Sequence, residues 1–120
     1  MTIQELITKV QDEKPNTFQN EKIIAFINEV EGAVAEELRV KHVIYSESDM
    51  DETLLAPYPY DRLYASFVKA MIDFANEEYA SYQINQEQYN LDFADFANWV
   101  VRTDHVQRDF STPHRFKNVL

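Results

Sequence analysis

Apolar residues recur at helical spacing from the first turn of the chain. Ile3, Leu6, Ile7 and Val10 share one face, and Thr2 with Glu5 three residues on makes a capping-box pattern. Lys14-Pro15 predicts the end of this helix, because a residue before proline is pushed out of the helical region. Asn20 is the expected cap of a second helix running to about Arg39. Its stripe is Ile23, Ile27, Val30, Val34 and Leu38, with Glu29, Glu31, Glu36 and Glu37 mostly to the sides. A third helix is predicted from Pro59 or Tyr60 to about Ile84. Leu63, Phe67, Ala70 and Phe74 form one line of it, and Tyr64, Val68, Met71, Ala75, Tyr79 and Tyr82 the next. Two adjacent lines make it a central helix covered on more than one side. Asn85 reads as the cap of a fourth helix, with Tyr89, Phe93, Phe96 and Val100 inward and Trp99 off the edge.

Two stretches fall outside this periodicity. Residues 40–58 form a long loop; VKHVIY at 40–45 is β-branched and aromatic, consistent with one short strand, and SESDMDE at 46–52 reads as a solvated acidic run. After Asp104 the apolar period stops and Pro113 opposes a helix, so 105–120 reads as an extended C-terminal arm. The expected architecture is all-α: a small bundle of about four helices over 1–104, with a long extended loop and the arm.

Composition sharpens this picture. One glycine in 120 residues leaves no material for phosphate-cradling loops or a series of tight hairpins. The absence of cysteine excludes disulfides and thiolate metal sites and suits a reducing cytoplasm. The N-terminus lacks the order of a signal peptide, and no apolar run reaches the ~18 residues of a spanning helix, so neither export nor a membrane is expected. The formal charge is −10. It divides unevenly: 1–104 carries eight bases and twenty acids, whereas 105–120 carries Arg108, Arg115 and Lys117 against Asp109 alone. An acidic body opposes adhesion to phosphate, and a basic arm beside it suggests an interaction segment.

Searches for chemistry return little. Asp49, Asp51 and Glu52 lack the apolar surroundings that shift a catalytic carboxyl, and their loop has neither the glycine nor the closing acid of a calcium-binding EF-hand. His42, His105 and His114 show no metal-ligand spacing, and no serine lies in a nucleophile elbow. The expectation is therefore a protein with no catalytic residues, no metal and no cofactor.

Interaction residues are better candidates. Most aromatics sit at core spacing, but Tyr58, Tyr60, Phe110 and Phe116 lie in or beside irregular segments and are candidates to anchor a partner. Gly32 points away from the stripe of the second helix, where an exposed glycine costs about 1 kcal/mol against alanine. Close approach of another backbone, by a second subunit, would account for it; simple tolerance or a break between two shorter helices are the alternatives.

These residues also carry a family resemblance. PNTFQNEKIIAFINEVEGAVAEEL at 15–38 and the stretch at 54–102 resemble the head–tail connector, or head-completion adaptor, proteins of long-tailed bacteriophages. The elements are Pro15-Asn16, Glu29-Val30-Glu31-Gly32, Ala56-Pro57 with Tyr60-Asp61 and Leu63-Tyr64, and Asn76-Glu77 followed by Tyr82. Phe18 stands where a tyrosine is expected, and 103–120 carries no family signature.

The resemblance implies a virion protein, assembled in the host cytoplasm, that forms a ring of about a dozen copies under the capsid portal. The ring would extend the channel through which genomic DNA passes without specific binding, and would dock the stopper or tail-completion protein. It also implies an arm that reaches into the portal, which assigns Arg108, Phe110, Arg115, Phe116, Lys117 and Leu120 to portal docking. Gly32, Val43, Tyr45, Tyr58 and Tyr60 are then the candidate ring contacts. Two other readings stand beside it. A generic helical protein-interaction domain fits the composition, whereas a helical DNA-binding packaging or regulatory protein would need a basic recognition helix that the acidic helices here do not offer.

Overall fold

A computed structural model describes the backbone of residues 1–111 and the side chains of 1–103. Four helices follow one another: α1 (Ile3–Glu13), α2 (Asn20–Leu38), α3 (Arg62–Ala75) and α4 (Tyr79–Ser111). The fold is all-α, as the periodicity predicts. The capping box at Thr2 is present, with the Glu5 N–H donating to Thr2 Oγ1 at 3.1 Å and the Thr2 N–H to Glu5 Oε1 at 2.8 Å. Lys14 ends α1 as expected. The cap of α2 is Gln19 rather than Asn20, and its side chain makes no capping bond.

α3 lies at the centre. Leu63, Tyr64, Ala65, Val68, Ala70 and Ile72 are all buried on it, which needs cover on more than one side. α1, α2 and α4 all pack on it. Ile3, Leu6, Ile27, Val30, Val34 and Phe96 close the core with it.

The third predicted helix is in fact two elements. The chain turns at Asn76-Glu77-Glu78, so α3 stops at Ala75 instead of Ile84 and α4 begins at Tyr79 instead of Asn85. The Glu78 N–H donates to Asp73 O at 2.9 Å and the Glu77 N–H to Phe74 O at 3.1 Å, with Glu77 left-handed at φ 59°. This is a Schellman closure, whose left-handed position favours glycine. Here it holds glutamate, so no turn signal marks it. Tyr79 and Tyr82 keep the helical period because they pack back across the turn onto Phe74, with ring centroids 5.9 and 5.2 Å away.

α2 ends in the same way. Arg39 is left-handed at φ 58°, its N–H donates to Glu36 O at 3.1 Å, and the Val40 N–H donates to Ala35 O at 3.0 Å. Neither closure uses the glycine. Replacing Glu77 with glycine should relieve left-handed strain and raise stability by up to about 1 kcal/mol, read from the urea midpoint. An unchanged or lower midpoint would show that Glu77 bears no such strain.

Residues 40–58 are more ordered than a solvated loop, and the expected strand at 40–45 does not form. Among the described residues there is no β-strand. The backbone of Tyr45 pairs instead with one side chain: its N–H donates to Asn28 Oδ1 at 2.8 Å, and Asn28 Nδ2 donates to its carbonyl at 3.0 Å. The amide of Asn28 thus does the work of a neighbouring strand. Farther on, Glu47–Asp49 makes one 3₁₀ turn capped by Ser46. A single antiparallel bridge joins Thr53 to Thr2. The loop is tied to the body at both ends.

α4 runs beyond the expected boundary at Asp104 and continues through the first part of the segment read as an arm, to Ser111. Its 33 residues span about 50 Å at a rise of ~1.5 Å each. The remaining arm, 112–120, lies outside the described residues.

Candidate docking surfaces

Glu31 is the feature that periodicity misses. Set to the side of the α2 stripe by its spacing, it is fully buried. Its Oε2 accepts from the Tyr45 hydroxyl at 2.8 Å and the Leu55 N–H at 2.9 Å, and its Oε1 accepts from the Tyr64 hydroxyl at 2.5 Å. Tyr64 Oη accepts in turn from the Ala56 N–H at 2.9 Å. Burial, then the charge of Glu31, pushes the Tyr64 phenol far above its ordinary value. Burial, then the bond to Glu31, does the same for Tyr45. Both phenols therefore stay protonated and donate throughout the neutral range. With both oxygens engaged and no open face, Glu31 joins α2, the loop and α3 rather than offering a reactive group.

Two further buried carboxylates clip the α3–α4 hairpin. Asp73, fully buried, takes an ion pair from Lys14 on one oxygen and hydrogen bonds from Ser81 and Asn85, both at 2.7 Å, on the other. Burial acts to raise its pKa, but Lys14, Ser81 and Asn85 together hold it below the ordinary 3.8. Asp92 accepts from Ser66 at 2.7 Å and Gln88 at 2.9 Å, and Arg62 reaches it at 3.3 Å.

The predicted interaction residues separate into distinct environments. Tyr45, a candidate ring contact, belongs to the core of its own chain at 8% exposure, with its hydroxyl on Glu31. Tyr60 is half-buried and stacks on Trp99, centroids 5.2 Å apart, so its ring is already occupied within the chain. Gly32 does mark a close approach, but the neighbour is this chain's own His42. A Cβ at position 32 would lie 3.0 Å from His42 Cε1, while His42 Nε2 sits 3.2 Å from Asn28 O. Helix α2 carries no break at this glycine.

Val43 and Tyr58 remain on the surface, at 53% and 86% exposure, and Val40 and Ile44 join them. Arg108 and Phe110 fall on the last turns of α4, where only the backbone is described. Arg115, Phe116, Lys117 and Leu120 lie outside the described residues.

A cleft of about 490 Å³ opens between the C-terminal end of α2 and the far half of α4. It is lined by the apolar Leu38, Phe93, Val100 and Val101 together with Glu36, Glu37 and Arg39. Among the described residues no group of acids and histidines is placed to hold a metal, and no helix is long and apolar enough to cross a membrane. No family model, curated protein or solved structure matches the chain.

Proposed function

We propose that this chain is a head–tail connector protein of a long-tailed phage, a structural adaptor that assembles as a ring under the portal. One observation carries the reading: two separate stretches that bear the resemblance meet at a single buried carboxylate. Glu31 comes from the Glu29–Gly32 element, and its donors Leu55 and Tyr64 come from the segment around Ala56-Pro57 and Leu63-Tyr64. Motif residues that hold one architecture together behave as a unit.

The surfaces support the same reading. An acidic body suits a channel wall along which DNA slides, because like charge opposes adhesion to phosphate. Val40, Val43, Ile44 and Tyr58 present apolar contacts on a loop tied to the body, where a neighbouring subunit or the next connector protein would seat. On this reading the last turns of α4, which include Arg108 and Phe110 in sequence, and the arm beyond them would make the portal contact.

Electron microscopy of the protein mixed with the portal encoded in the same genome tests this. Portal particles should gain a ring of about a dozen added subunits. Portal particles left unchanged, with the protein remaining monomeric, would overturn it.

A further inference from the structure

We propose that the cleft between α2 and α4 is a binding site for the chain's own segment 112–120. The cleft lining combines the apolar Leu38, Phe93, Val100 and Val101 with two acids, Glu36 and Glu37, and one base, Arg39, a net negative charge. Val101 is 63% exposed there, whereas Leu38, Phe93 and Val100 are half-buried.

The segment TPHRFKNVL has the complementary pattern. It holds Arg115 and Lys117 on either side of Phe116, adds His114, Val119 and Leu120, and contains no acid. A ring flanked by two cations suits a cleft that offers apolar side chains and a net negative charge.

Reach is sufficient. From Val101 to Ser111, α4 advances about 15 Å at ~1.5 Å per residue. The five residues from Ser111 to Phe116 span up to about 17 Å when extended, which just covers that distance and lets the Phe116 ring reach the cleft. Pro113 opposes continuation of the helix and favours a change of direction there. Phe116 would lie on Val100 and Val101, with Arg115 and Lys117 toward Glu36 and Glu37.

On the connector reading, the cleft holds back the same arm residues that engage the portal, and a portal would compete for them. That consequence rests on the function proposed above; the docking itself does not.

The absence of native cysteine makes a cross-linking test clean. In the full chain, Ala33→Cys with Asn118→Cys, which keeps every charge of the proposed contact, should close an intramolecular disulfide at least about tenfold faster than the control pair Thr8→Cys with Asn118→Cys, because docking raises the local concentration beyond that of a free tether. Raising the salt concentration should reduce the difference. Equal rates, or disulfides only between chains, would overturn the proposal. Methyl NMR of the full chain gives a second reading with the cleft intact. Phe116→Ala should shift the Leu38, Val100 and Val101 methyl signals and leave those of Ile3 and Leu6 in place. Unchanged cleft methyls would equally overturn it.

Discussion

Replacing Glu31 with alanine should destabilise the protein by about 3–5 kcal/mol, the largest single effect expected for this chain. The alanine removes the acceptor of three donors at once: the hydroxyls of Tyr45 and Tyr64 and the N–H of Leu55. Tyr45 and Tyr64 are buried in the core and Leu55 is half-buried against it, so the donors left behind are largely shielded from solvent. Small domains hold about 5–15 kcal/mol in total, so the variant would approach the limit of folding. Tyr45→Phe removes one donor and leaves the other two paired with the carboxylate, and should cost only about 1.5–3 kcal/mol. Urea unfolding at neutral pH measures both. A Glu31→Ala variant within ~0.5 kcal/mol of the parent would mean that the network contributes nothing net.

Asp73→Ala should follow, with a loss of about 2–3 kcal/mol. It strands Ser81 and Asn85 at the start of α4 and removes the buried partner of Lys14. The loss is smaller than at Glu31 because Lys14 keeps partial access to solvent and has Glu78 4.0 Å away.

The same residue sets a pH dependence. Its folded pKa lies below the ordinary 3.8, so the unfolded chain binds the proton more readily. The stabilisation is therefore whole above 3.8 and declines as pH falls below that value toward the folded pKa. Stability measured from pH 6 downward should fall less steeply below pH 3.8 in Asp73→Asn than in the parent, since the variant has no proton to gain there. Parallel curves would show that Asp73 is not the group responsible.

The function proposed for the chain places its working parts at the edges of the fold, and the stability tests above probe its centre. Variants of the exposed Val43 and Tyr58 should therefore leave unfolding nearly unchanged, because neither is buried in the isolated chain. This separation allows assembly and folding to be examined independently.

Much of this architecture is legible in the residues alone. The first helix, its capping box, the stop at Lys14-Pro15 and the extent of α2 follow from local rules, because caps and periodicity act within a few residues of sequence. The inward stripe of α4 follows for the same reason. The α3–α4 turn does not. Its left-handed residue is Glu77 rather than glycine, and the aromatics on both sides keep a single helical period. Only the return of α4 onto α3, with Asp73 reaching Ser81 and Asn85, distinguishes a hairpin from one long helix.

The candidate surfaces divide along the same line. Sequence singled out Gly32 as a place where something comes close, since a lone glycine inside a helix has a cost. The identity of the neighbour required the loop to be seen crossing α2, with His42 over the glycine and the Asn28 amide standing in for a strand. Tyr45 illustrates the converse: its place in the 40–58 segment made it a candidate ring contact, and the carboxylate that draws it inward lies fourteen residues away on α2. By itself the sequence determined the helical class, the acidic body and the basic, apolar tail, because each is a property of composition or of near neighbours. The buried carboxylates, the hairpin and the open cleft were decided only in three dimensions, where charge burial depends on which distant donors the fold brings to one oxygen.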